Sequence, residues 1–278
     1  MHDQGPNKNP PSLIPELFPN VALLGEKELL WASSGPFRFS FPGLNSYEGL
    51  HHSVFTRKTG TDNRTTGEFD LSFGGGQAGS VVSSLHQVRV TVAASSLVIM
   101  RQTHSDQVAA LNQVPKQDIV QYECDAVISP FKGVGLLVRT ADCQGVLLYD
   151  PEANVVAAVH CGWRGAVQNI LAKTVETMVR EFGSGAGDIR AAIGPSLGPC
   201  CGEFKGYRNI FPVEFRDFMG EHSHFDMWAV SCGQLKEAGL REENIEVATL
   251  CTKCNTHLFY SYRADKSTGR FGAAIALC

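Results

Sequence analysis

The stretch VGLLVRTADCQGVLLYDPEANVVAAVHCGWRGAVQNILAKTVETMVREFG, residues 134–183, decides how this chain is read. It opens with three apolar runs, Val134 to Arg139, Val146 to Tyr149 and Val155 to Val159, separated by Asp, Gly, Pro and Asn. β-Branched runs punctuated in this way are the mark of consecutive strands. GVGLLV and NVVAAV lack polar alternation, which predicts strands covered on both faces. After Gly165 the period changes. Val167, Ile170, Leu171, Val175, Met178, Val179 and Phe182 recur at intervals of three and four, forming one face of a helix that stops at Gly183. The expected product is a sheet sandwiched by helices.

Working outward, strands are expected at Leu50 to Arg57, Leu97 to Gln102, Gln107 to Leu111 and Asp125 to Ser129, and in IEVATL and FGAAIAL near the C-terminus. Short connections in the middle of the chain predict hairpins and an antiparallel or mixed sheet. Asp226 is placed to cap a second helix whose apolar face includes Trp228, Ala229, Leu235 and Ala238, with Gly239 as its stop. Strands and helices interleave with no linker and no repeat, so one α/β domain over residues 21–278 is expected. Residues 1–20, which hold prolines 6, 10, 11, 15 and 19, read as a Pro-rich N-terminal tail. TGTDNRTTGE reads as a surface loop, and Gly74 to Gly76, with no following lysine, as a plain turn rather than a phosphate loop.

The 278 residues carry a net charge of −4, with 43% hydrophobic and 19% charged residues. These are globular values without a polybasic footprint, which argues against nucleic acid or anionic lipid as partners. No run approaches the ~18 apolar residues of a membrane span. The N-terminus has neither the basic nor the apolar region of a secretory signal, so a cytoplasmic protein is expected. Nine cysteines in a reducing compartment are then core residues, metal ligands or nucleophiles rather than disulfides.

Three chemically capable residues punctuate strand ends: His104 in RQTHSDQV, Cys143 in VRTADCQG and His160 in VVAAVHCGWRG. Strand ends in layered α/β folds are where side chains converge on a site. Two imidazoles and a thiolate make a three-ligand set for catalytic zinc, or for copper with a distant methionine. Spacing alone, with no short-loop metal pattern, favours satisfied polar residues at strand ends over a metal site. In HCGWRG the two glycines and the helix start could receive an anion, with Arg164 adding a planar fork, or Arg164 is a solvated charge. Cys251 and Cys254 have zinc-knuckle spacing, and Cys200 with Cys201 would complete four sulfurs. A single Cys-x-x-Cys lacks the second knuckle, so these are read as core thiols. His222 and His224 are expected in a solvated loop.

At these motifs the chain resembles the multicopper polyphenol oxidoreductase, or laccase-domain, family, whose members are described as zinc-dependent purine nucleoside phosphorylases. QTHSDQV, TADCQGVLLYD, HCGWRG, IGPSLGPCCGE, CTKC, LFYSYR and TGR match the family's motifs in order over roughly residues 50 to 278. Cys161, Gly202 and Gly145 depart from its usual Ala, Tyr and Pro. The resemblance implies a four-layer α-β-β-α sandwich with mixed sheets, and a zinc triad of His104, Cys143 and His160. It also implies phosphorolysis of adenosine, inosine and methylthioadenosine with inorganic phosphate, together with adenosine deamination. Residues 21–278 would be the laccase-like catalytic domain. Arg164 and the helix start are the phosphate candidates, Arg57 of FTRKTG is a further one, and Asp142 or Asp106 could move protons. Three rivals stand beside this. One is a metal-free cysteine hydrolase or deamidase using Cys143 and His160. Another is a copper polyphenol oxidase, for which only His51-His52 and His222-x-His224 offer further imidazoles. The last is a partner-binding module with a closed zinc site completed by Cys161, disfavoured because neighbours on an extended chain face opposite ways.

Overall fold

Alternation along the two central apolar strands builds the layers. In the strand Val155–Cys161, residues Val155, Ala157 and Val159 belong to one hydrophobic core and Val156 and Ala158 to another; in Gln144–Asp150, Val146 and Leu148 divide from Leu147 and Tyr149 in the same way. Both faces of each strand are apolar, so each must be covered. The computed structural model, which describes residues 11–32, 35–60, 67–73, 78–117 and 119–278, shows what covers them.

One sheet has seven strands in the order Ala22–Leu24, Ile245–Ala248, Arg190–Ile193, Gln144–Asp150, Val155–Cys161, Ala126–Ser129 and Val108–Ala110. The other has eight, ordered Leu30–Trp31, Pro36–Ser40, Leu50–Thr59, Phe271–Leu277, Val134–Thr140, Ser96–Met100 and Ile119–Tyr122, with Gly67–Glu68 paired to Leu50–Thr59. Both mix parallel and antiparallel pairs. A core containing Leu136, Leu147, Val156 and Ile275 fills the space between the sheets. Ile170, Leu171, Val175 and Met178 of one helix and Trp228, Ala229 and Leu235 of another cover the smaller sheet's outer face. Val81, Leu85 and Val88 of the helix Ala78–Thr91 pack on Leu97, Ile99 and Leu137 of the larger sheet. The expected α-β-β-α sandwich is what forms. The helix Ala78–Thr91 has no counterpart in the sequence reading, because exposed Val82 and Val90 blur its apolar stripe.

Two expectations change. The strands Val134–Thr140 and Gln144–Asp150 do not form a hairpin: they lie in different sheets, and the segment Ala141 to Cys143 steps between them. That step uses Asp142 in the left-handed region at φ 89°. The helix expected from Gly165 is two, Trp163–Val167 and Ile170–Phe182, broken at Asn169 with φ 57°, a conformation Asn tolerates. Gly183, at φ 71°, does end the second helix.

Of the Pro-rich tail read over 1–20, residues 1–10 lie outside the described residues, as do the triple glycine and residues 61–66 of the polar loop. The helix Ile14–Leu17 starts with Pro15 in its first turn and buries Ile14. It is fixed by Asp226. One oxygen of that carboxylate accepts the N–H groups of Trp228 and Ala229, capping Met227–Glu237 as expected, while the other accepts Ser12 Oγ at 2.5 Å and Leu13 N–H at 2.8 Å.

Candidate functional site

His104, Cys143 and His160 reach one point from three different chain segments. His160 ends the strand Val155–Cys161 on the face that looks between the sheets, since it shares parity with Val156 and Ala158. His104 lies on the turn after Ser96–Met100, at φ 60°, and Cys143 lies on the crossing between sheets. Their ligand atoms all fall within 4.8 Å of one another, with Cys143 Sγ 3.9 Å from His104 Nε2 and the two imidazoles nearly perpendicular at 82°.

One buried carboxylate organises this group. Asp125, just before the strand Ala126–Ser129, accepts the backbone N–H groups of Thr103 (3.1 Å), His104 (3.0 Å) and Ser105 (2.7 Å) and the Ser105 hydroxyl (2.7 Å), and holds His160 Nδ1 at 2.8 Å. It therefore shapes the His104 turn and orients the His160 ring with Nε2 toward Cys143. The sequence reading did not single it out. Its signal was an acid opening an otherwise apolar buried strand, in CDAVIS, because a carboxylate there requires donors.

Burial pushes the Cys143 thiol up, but the charge of His160 and hydrogen bonds from His104 and His160 outweigh it and lower the thiol to about 6. Burial lowers His160, and Cys143 with Asp125 overcomes it, raising the imidazole to about 9. The Asp125 carboxyl, raised by burial, is driven well below the usual carboxylate range by His160 and Ser105. Cys143 is thus a thiolate ready to act as ligand or nucleophile.

The site also has room for an ion. A Cβ on Gly162 would stand 2.9 Å from Cys143 Sγ and 3.2 Å from His104 Cδ2, although Gly162 has ordinary extended backbone at φ −82°, ψ 175°. Glycine keeps a cradle open there. Two imidazoles and a thiolate around it fit a three-ligand metal site with one open position. Cys161 faces the other way, into the helix-side core, where burial pushes its thiol up to about 12. It does not close the site.

The group opens onto a cleft of about 1190 Å³ whose walls include Arg164, Arg263 and Arg270 and the rings of Trp163, Phe204 and Tyr262. Arg164 stacks on Trp163 at 4.4 Å. The anion reading of HCGWRG therefore rests on this guanidinium, because the helix behind it has only five residues. Arg57 is not on the cleft wall: it pairs with Glu68, donates to the Thr256 carbonyl and stacks on Tyr260. Asp142 is occupied, accepting Thr252 Oγ1 and Arg263 N–H at 2.6 Å each, and Asp106 pairs with Lys173.

The four cysteines read as core thiols are a correction. Cys251 is buried, but Cys200 and Cys201 are half-buried and Cys254 is exposed, and their sulfurs all lie within 4.8 Å of one another. Thiols placed for core packing would not gather at the surface. Among the described residues, these four and the His104 group are the two sets able to hold a metal, and neither includes His51, His52, His222 or His224.

Comparison with known proteins agrees with the motifs. A family model described as multi-copper polyphenol oxidoreductase laccase matches residues 51–278. A protein of Bacteroides thetaiotaomicron named purine nucleoside phosphorylase is 29% identical over 80% of this chain and 89% of its own. One of Deinococcus radiodurans with the same name is 36% identical over 62% of this chain and 71% of its own. A prokaryotic protein named adenosine deaminase RL5 is 32% identical over 60% of this chain and 69% of its own. The solved structure of the hypothetical protein YfiH from Bacillus licheniformis superposes with a TM-score of 0.76 at 25% identity, covering 89% of this chain and 99% of that one.

Proposed function

From the membership of this chain in the multi-copper polyphenol oxidoreductase laccase family, we propose that it is a zinc-dependent purine nucleoside phosphorylase. It acts on adenosine, inosine and methylthioadenosine with inorganic phosphate, and deaminates adenosine as a second activity. Residues 21–278 form the catalytic domain. The observation that carries this reading is the convergence of His104, Cys143 and His160 at the floor of a cleft walled by arginines and aromatic rings. Nine free cysteines suit the reducing cytoplasm as its place of work, and no described helix is long and apolar enough to cross a membrane.

His104, Cys143 and His160 would hold a zinc ion, which would supply Lewis acidity at the floor of the cleft. The chain's own residues do the positioning. Asp125 holds His160 by Nδ1, so Nε2, once it gives up its proton, would be the nitrogen that faces the ion. Arg164, with Arg263 and Arg270 nearby, offers planar forks to the phosphate. Trp163, Phe204 and Tyr262 offer faces to the purine. The C1′–N9 bond breaks with its electron pair leaving on the base, a phosphate oxygen bonds to C1′, and the proton of hydrogen phosphate ends on the purine. The products are free base and ribose 1-phosphate, or its 5-methylthio derivative when methylthioadenosine is the substrate. Holding both reactants in line accounts for much of the rate gain expected of such a site.

The test follows hypoxanthine release from inosine with and without phosphate. Release that depends on phosphate and vanishes in Cys143→Ala is expected; release indifferent to phosphate overturns phosphorolysis. The lowered Cys143 thiol beside His160 favours a second reading, a metal-free cysteine hydrolase or deamidase. Chelation abolishes turnover under the first reading and spares it under the second. Oxygen consumption on a phenol after copper loading would instead support the oxidase that the family description names.

A further inference from the structure

We propose that Cys200, Cys201, Cys251 and Cys254 bind a second metal ion, a structural zinc, that fastens together the two loops forming one wall of the cleft. The geometry is the first reason. Four sulfurs each ~2.3 Å from one tetrahedral zinc stand ~3.8 Å apart. Here Cys254 Sγ lies 3.6 Å from both Cys200 Sγ and Cys201 Sγ, and all four sulfurs fall within 4.8 Å. A disulfide requires ~2.05 Å. The four are separate thiols gathered without a bond.

The backbone around them supports the same conclusion. Close approach of the two loops depends on Gly198, where a Cβ would stand 2.7 Å from the Trp228 ring and 3.2 Å from Cys251 Cβ. Partial exposure of the cluster gives an ion an entry path, and it denies the thiols a role as core filler. Each thiol gives up its proton on coordination, and four thiolates with Zn²⁺ carry a net charge of −2. The Arg263 guanidinium, donating to the carbonyls of Cys201 and Glu203, stands beside that charge.

What the clasp holds is the catalytic group's support. Ser196 bridges Cys251, Thr252 N–H donates to the Ser196 carbonyl at 3.0 Å, and Thr252 Oγ1 donates to Asp142, whose carbonyl accepts Leu197 N–H. Both loops therefore grip Asp142, the left-handed residue that sets Cys143 in place. The second ion positions the first site without touching substrate, and this does not depend on which reaction that site performs.

The test is zinc content per chain by mass spectrometry after passage over a chelating resin. Two equivalents are expected in the natural protein, one in Cys143→Ala, one in Cys254→Ser and none in the double variant. Cobalt loaded into Cys143→Ala should give the intense sulfur-to-cobalt charge-transfer band of a thiolate-rich tetrahedral site. Should Cys254→Ser fail to fold, Cys143→Ala decides alone: zinc held and released by a mercurial thiol reagent supports the clasp. No zinc in Cys143→Ala, or four cysteines found as two disulfides by intact mass, overturns it.

Discussion

Asp125 Oδ1 lies 2.8 Å from His160 Nδ1, and the same carboxylate accepts three consecutive backbone N–H groups of the turn that carries His104. One acid thus fixes two of the three residues of the proposed triad. Asp125→Asn sets an amide N–H₂ against donors and removes the charge that orients His160. Loss of such an outer-shell partner typically costs 10–100-fold in metal affinity. A chelator competition titration should show a drop in that range; unchanged affinity would mean that strand packing alone orients His160.

Gly162→Ala separates the ion's space from the fold. The backbone there accepts alanine without strain, but the added methyl enters the cradle between Cys143 and His104. Zinc content and turnover should fall together while the circular dichroism spectrum and Tm stay near those of the natural protein. Full zinc occupancy in this variant would show that the ion sits elsewhere.

Arg164→Ala tests the phosphate site. A charge-assisted contact is worth about 1.5–3 kcal/mol, or roughly 10–100-fold. The expected result is a KM for phosphate raised by that factor, with kcat at saturating phosphate little changed. Arg57→Ala should leave both constants alone, since its fork is committed to Glu68 and Thr256 away from the cleft. Equal effects of the two substitutions would overturn this assignment.

Acid stability should report His52. Its Nε2 accepts the Phe41 N–H at 2.8 Å, and burial, with the charge of His51, lowers the imidazole to about 4. The unfolded chain takes up this proton near pH ~6.5 and the folded chain near 4. Stability is therefore whole above ~6.5 and falls as pH drops toward 4, losing ~3 kcal/mol by then. Denaturant unfolding between pH 7.5 and 4.5 should show a smaller acid loss for His52→Gln, which cannot take the proton. An identical loss would place the titration at other groups.

The strands of residues 134–161 were legible because hydrophobic period is a local property. So were the end of the helix at Gly183 and the cap at Asp226. The two cores were not, because runs apolar on both faces say that they are covered without saying by what. Val134–Thr140 and Gln144–Asp150 look like a hairpin in sequence and part into two sheets, a choice made by packing across Leu136, Leu147 and Val156. His104, Cys143 and His160 were legible as chemistry at strand ends, and the family motifs named them together.

By itself, then, the sequence determined the elements, the candidate ligands and their order along the chain. Tertiary structure decided the rest: that Asp125 lies against His160, that Arg57 lies off the cleft wall, and that four cysteines separated by fifty residues share one point at the surface. The physical reason is the same in each case. Period and propensity act between neighbours in the chain, whereas a buried carboxylate's donors and a metal's ligands are chosen by distance in space.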